Sequence, residues 1–118
     1  MRIEIPFRLP SLNEYVRECR ANKYSGSRHK KKIENQILWY LKSFKQKINE
    51  PVFVKFIWDE KNYKRDKDNV AFAKKYIFDA LQKAGILPND NNKFIIGFAD
   101  FFVYGEGEKV IVEIKEAI

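Results

Sequence analysis

The chain has 118 residues, 45% of them hydrophobic and 33% charged, enough for one domain with a single modest core and too few for two. Its net charge of +7 and isoelectric point near 9.5 favour a polyanionic partner. No run approaches transmembrane length, no signal-peptide apolar core is present, and Cys19 stands alone, so an internal disulfide is excluded and the cytoplasm is the expected compartment.

Residues 2–9 alternate. Ile3, Ile5, Phe7 and Leu9 share one side, and Arg2, Glu4 and Arg8 the other, which predicts a half-buried strand. Pro6 has no N–H to donate and marks an edge position or a local break. Ser11-Leu12-Asn13-Glu14 has the capping-box pattern, so a short helix or turn should run to about Arg20.

The next segment is the most basic. Arg17, Arg20, Lys23, Arg28, Lys30, Lys31 and Lys32 are opposed only by Glu18. Ser25-Gly26-Ser27 predicts a flexible loop in its middle. Two readings fit: a solvated charge run, or a loop that tracks phosphates and displaces their counterions. The net charge favours the second. His29 has no second histidine or cysteine suited to a zinc site and reads as a polar surface group, and Cys19 as a small apolar one.

Ile33, Ile37, Tyr40, Leu41, Phe44 and Ile48 predict an amphipathic helix from about Arg28 to Lys47, with Trp39 read as core. Val52 to Trp58 is almost unbroken apolar sequence and predicts an interior strand. Residues 59–64 then read as a charged loop leading to Arg65-Asp66-Lys67-Asp68-Asn69.

That stretch is where the chain is most informative. Asp66 and Asp68 precede an apolar repeat at Val70, Ala73, Ile77, Ala80, Leu81 and Ala84, which predicts a helix to Ala84 with Gly85 as its C-terminal stop. Either Asp can cap the helix. One carboxylate suffices for a cap. Two beside Asn69 in a basic neighbourhood also suit a hard divalent cation, which takes carboxylate oxygens and keeps waters and a phosphate. At ~100° per residue, Asp68, Lys75 and Asp79 fall on one meridian, and Lys74 lies ~120° from it. The plain reading of that stripe is a solvated surface with a Lys75–Asp79 pair.

Pro88 to Asn92 is a turn by composition, and includes Asp90. Phe94 to Tyr104 predicts a long aromatic strand, in which Asp100 sits on the open face or supports a metal. Residues 105–108 predict a hairpin loop into a closing strand, Lys109 to Lys115. The predicted order is β-α-β-α-β-β, with a short extra helix near residues 12–20. Residues 1–118 thus form a single α/β (α+β) domain, a two-layer sandwich with two helices on one face of a four-stranded mixed sheet.

Arg65-Asp66-Lys67-Asp68-Asn69, Lys75 before Phe78-Asp79-Ala80-Leu81, Lys83-Ala84-Gly85, Asp90, and the opening Leu9-Pro10-Ser11-Leu12-Asn13-Glu14-Tyr15 together resemble the RusA family of Holliday junction resolvases. The resemblance spans most of the chain. It implies a small dimeric endodeoxyribonuclease, bacterial or prophage-encoded, dependent on Mg²⁺ with Mn²⁺ able to substitute. It implies Asp66, Asp68 and Asp90 as catalytic metal ligands and Lys75 as the catalytic lysine. The chain carries extra residues between Asp68 and Lys75 relative to the founding member, which sets the lysine further along the helix.

The expected activity is resolution of four-way DNA junctions by paired nicks in recombination and repair. Asn13, Arg17, Arg20, Lys23, Arg28, Lys30, Lys31, Lys32 and Arg65 are expected to hold branched DNA, in a homodimer with no membrane and no organic cofactor. The alternatives are a nucleic-acid-binding module without chemistry, and a nuclease of the same fold acting on forks or flaps.

Overall fold

The structure is a computed structural model that describes residues 1–89 and 91–117. Its elements in chain order are β1 (Arg2–Ile5), α1 (Leu12–Ala21), α2 (Ser25–Leu41), β2 (Val52–Glu60), α3 (Lys67–Ala71), α4 (Lys74–Lys83), β3 (Ile95–Tyr104) and β4 (Lys109–Glu116). The strands form one mixed sheet in the order β1-β4-β2-β3. The fold is α+β. No described helix is long and apolar enough to cross a membrane.

β1 ends at Ile5 rather than at residue 9, because Pro6 cannot continue the ladder. Ser11 then caps α1: its Oγ accepts the Glu14 amide at 3.3 Å. The expected Ser25–Ser27 loop is instead the first turn of α2. The reason is local packing. Gly26 is buried against α1, where a side chain would collide with the Cys19 sulfur, and the Ser25 hydroxyl donates to Glu18 at 2.8 Å. α2 also stops at Leu41, short of Lys47. Trp39 is 66% exposed and not core. It lies two residues, ~200°, around the helix from buried Ile37.

The sheet has one buried face. Ile3 and Ile5 of β1, Val54, Phe56 and Trp58 of β2, and Val112 and Ile114 of β4 share a core with Ile33, Ile37 and Leu41 of α2 and Tyr76, Ile77, Ala80 and Leu81 of α4. On the other face Phe53 of β2 and Phe101 and Val103 of β3 are exposed. Burying a large apolar side chain contributes ~1.5–3 kcal/mol, so this single face carries the main stabilising term.

β2 and β3 are parallel, joined through α3 and α4. The helix expected over 70–84 starts earlier and is broken at Phe72–Ala73. There Ala73, Lys75 and Tyr76 donate to Val70, Phe72 and Ala73, the tighter three-residue spacing of a 3₁₀ turn. Gly85 stops α4 as expected, at φ 75°.

β3 and β4 do not form a hairpin. β4 passes over the end of β2 and inserts between β1 and β2, antiparallel to both. Asp59 fixes the crossing. Its Oδ1 accepts the amides of Gly105 at 3.0 Å and Gly107 at 3.2 Å, and the Glu60 carbonyl accepts Gly105 at 3.1 Å. Asp59 and Glu60 are therefore the buried end of a strand, not part of an exposed loop.

Candidate functional site

β2 ends in Glu60, which is 7% exposed. A carboxylate that deep needs a partner, and Arg65 supplies it. Its Nε donates to Oε1 at 2.8 Å and its Nη2 to Oε2 at 2.7 Å, a two-pronged pair. Nη1 donates to the Leu9 carbonyl at 3.0 Å and lies 3.6 Å from Glu14. One guanidinium thus ties the segment 61–66 both to the sheet and to the start of α1. This places Leu9 to Glu14, the opening motif, beside the Asp pair's loop. Arginine five residues after a glutamate at a strand end was visible in the sequence, though unread as a clamp.

Beyond that clamp, Asp66 occupies the N-cap position of α3 with extended backbone, and its carbonyl accepts the Val70 amide at 3.0 Å. Its carboxylate makes no capping bond. Asp66 and Asp68 are both exposed. The Lys67 Nζ sits 5.6 Å from the ring centroids of both Phe102 and Tyr104, which sets the start of α3 over the last third of β3. Both carboxylates thus stand near the C-terminal ends of the two parallel strands, the usual ligand end of an α/β crossover. Tyr63 packs on Tyr104, ring centroids 4.1 Å apart and tilted by 30°, and is 76% exposed, an aromatic shelf that the sequence reading missed.

The polar stripe forms in part as expected. Lys75 Nζ lies 3.4 Å from Asp79. Asp79 also receives Lys30 at 3.0 Å, which joins α2 to α4. Burial pushes the Asp79 carboxyl up, but Lys30 and Lys75 outweigh it and hold the group below its ordinary value. The same contact, with Asp79 first among its causes, raises Lys30. Lys74 turns the other way. Its Nζ meets Asp100 at 2.6 Å over the ring of Phe98, and Trp58 Nε1 donates to the other Asp100 oxygen at 2.9 Å. Asp100 therefore faces α4, on the Trp58 side of the sheet and not on the open one.

Asn13, Arg17, Arg20, Lys23, Arg28, Lys31 and Lys32 are exposed on α1, α2 and the turn between them. The basic segment is thus a helical pair. Lys30 is half-buried against Asp79 and Glu34, and Arg65 against Glu60. His29 is not a surface group: it packs between Tyr15 and Tyr76, and its Nε2 and the Tyr76 hydroxyl are buried with no hydrogen-bond partner among the described residues.

Asp90 lies outside the described residues. Among the described residues no three His, Cys, Asp or Glu side chains are grouped closely enough to hold a metal ion. Asp66 and Asp68 supply two exposed carboxylates, a donor set that fits Mg²⁺ when waters and a phosphate fill the remaining positions. No protein-family model matches this chain, and no curated protein matches it.

Proposed function

We propose that this chain is a Mg²⁺-dependent, structure-specific endodeoxyribonuclease of the RusA-like kind, cutting four-way DNA junctions by paired nicks in the cytoplasm. One observation carries the reading: Asp66 and Asp68 stand exposed at the start of α3, and the N-cap carboxylate is not spent on the helix. The RusA-like motif order supports it, and so does the row of exposed cations on α1 and α2.

Asp66 and Asp68, with Asp90, would hold Mg²⁺, or Mn²⁺ in its place. A divalent ion held there would supply Lewis acidity toward a phosphate and a water. The motif match gives Lys75 the charge-stabilising role, where negative charge builds on the phosphate. Lys31, Lys32, Arg28, Lys23, Arg20 and Arg17, with Asn13, hold the DNA backbone by charge and shape. Lys30 and Arg65, being paired, hold the helices and the carboxylate loop in position. Two symmetrical nicks call for a two-fold dimer.

The test is a gel comparing junction, fork, flap and duplex DNA with Mg²⁺. Cleavage of the junction well above duplex supports the proposal. Binding without cleavage at any enzyme excess overturns it and leaves a nucleic-acid-binding module. Cleavage confined to forks and flaps replaces the substrate.

A further inference from the structure

The sheet has two edges, and they are built differently. β1 is four residues long, carries Arg2 and Glu4, and is followed by Pro6. Short length, charge and proline are the usual protections of an exposed edge. β3, at the other edge, is ten residues long, has no proline and carries a single charge. Ile96, Phe98, Phe101 and Val103 are 56%, 49%, 50% and 45% exposed, two on each face of the sheet. Its one charge, Asp100, is already met by Lys74. A groove of about 380 Å³, bordered by Lys74, Phe78, Ile96 and Phe98, runs along the same edge.

We infer that β3 pairs antiparallel with β3 of a second copy of this chain, extending the sheet across a two-fold axis at Ala99. The strand's own sequence selects the occupant and the register. On a two-fold axis perpendicular to the sheet, facing residues share a face, so even positions meet even and odd meet odd. Centring on Asp100 opposes two like charges. Centring on Ala99 puts Phe101 against the partner's Gly97. Gly97 has no side chain, and the Phe53 ring lies 3.3 Å from where its Cβ would stand. Each Phe101 then covers a glycine and meets a ring, the way aromatic residues offset edge glycines. Ile96 meets the partner's Phe102 on the other face.

The area is of the right order. Four large side chains half exposed on each copy, at roughly 150–250 Å² for a full aromatic, bury on the order of 800 Å² before the backbone edge and the groove are counted. Stable interfaces begin near ~1,200 Å². β3 itself carries no cation, and lysines beside it are engaged: Lys55 lies over Phe101, Lys67 over Phe102 and Tyr104, and Lys74 over Phe98 against Asp100, so the edge presents rings and aliphatic side chains and not a phosphate-binding row. The pairing rests on the strand and not on the nuclease reading, so a dimer that fails to cut DNA leaves it standing.

The experiment has two arms, both on the full chain. Sedimentation at micromolar concentration should give a dimer of the 14.1 kDa chain, and Phe101→Lys with Val103→Lys should convert it to a monomer with an unchanged circular dichroism spectrum. In a Cys19→Ser background, Ala99→Cys should oxidise to a disulfide-linked dimer, since facing Cα atoms ~4.5–5.5 Å apart fall within disulfide reach. Glu106→Cys, on the loop after β3, should not. A wild-type monomer overturns the pairing and leaves the edge to another partner. A dimer that survives both lysines and gives no Ala99→Cys link places the interface elsewhere and equally overturns it.

Discussion

Arg65 and Glu60 are joined by two parallel hydrogen bonds, 2.8 and 2.7 Å long, between side chains only 16% and 9% exposed. Removing the arginine leaves a buried carboxylate without its partner, which costs ~3–5 kcal/mol. Arg65→Ala should therefore lower the urea midpoint sharply. Arg65→Lys should recover only part of the loss, because lysine cannot form the two-pronged contact. A midpoint unchanged by either would show that the segment before α3 is held by something else.

Asp66→Asn and Asp68→Asn should each abolish Mg²⁺-dependent cleavage while junction binding stays intact or tightens. Asparagine is a neutral, weaker ligand, and its substitution removes repulsion against phosphate. The readout is cleavage and gel shift on the same junction. Near wild-type cutting by both variants would remove these residues from the site.

The two adjacent lysines should separate cleanly. Lys75, half-exposed and on the Asp79 side, should cost cleavage ~10²–10³-fold when changed to Ala, the usual loss for a charge-stabilising donor, with little effect on stability. Lys74→Ala should do the reverse, since it strips Asp100 of its cation beside Trp58. Thermal melts and cleavage rates measured together decide it. Equal cleavage losses would mean that helix phase does not distinguish them.

Asp79 sets an acid limit. Burial pushes its carboxyl up, but Lys30 and Lys75 hold its folded pKa below the ordinary Asp value. A depressed carboxylate stabilises the fold above its unfolded pKa, and that contribution is lost as pH falls through the folded value. Asp79→Asn should thus be less stable than wild type at neutral pH. The gap should close as pH drops through and below ~4, the ordinary Asp range. A gap constant from pH 7 to pH 3 would show that the Lys30 and Lys75 contacts add nothing.

Asp68 lies in the first turn of α3 and Asp90 follows α4 in the sequence; the roughly 16 residues from 69 to 84 would span about 24 Å if helical throughout. Ligands of one Mg²⁺ lie ~2.1 Å from it. One chain can hardly bring both together, so we expect the site to be completed between subunits. Asp68→Asn and Asp90→Asn homodimers should each be inactive, and their heterodimer should regain one site and nick one strand. A heterodimer as dead as its parents would mean that each chain builds its own site.

What could be read in advance followed the range of each interaction. Ile77 and Leu81, four residues apart, mark the inner face of α4, and Gly85 its end, because helical burial repeats locally. The apolar run of β2 likewise marks a central strand. The place of β4 was not readable: its alternation at Val110, Val112 and Ile114 suits a hairpin with β3 as well as insertion beside β1. The choice rests on Asp59, some 46 residues before the amide it binds. Composition also misled at Gly26, where the missing side chain serves helix contact and not flexibility. For the site, the spacing of Asp66 and Asp68 marked the carboxylates. That neither is consumed as a helix cap depends on backbone geometry no spacing encodes.

Putting the last strand second from the edge also dictates a schedule. β1 pairs with β4 alone, and the Met1 nitrogen donates to the Ile114 carbonyl across 113 residues of sequence. During synthesis β1 emerges ahead of every other strand of the sheet and must wait for β4 before its amides are answered. Such distant closure is slow, and in the interval Ile3 and Ile5 lack their sheet partner. A nascent chain halted before Lys109 holds two separate pieces of the sheet, β1 and the β2–β3 pair, with no strand between them.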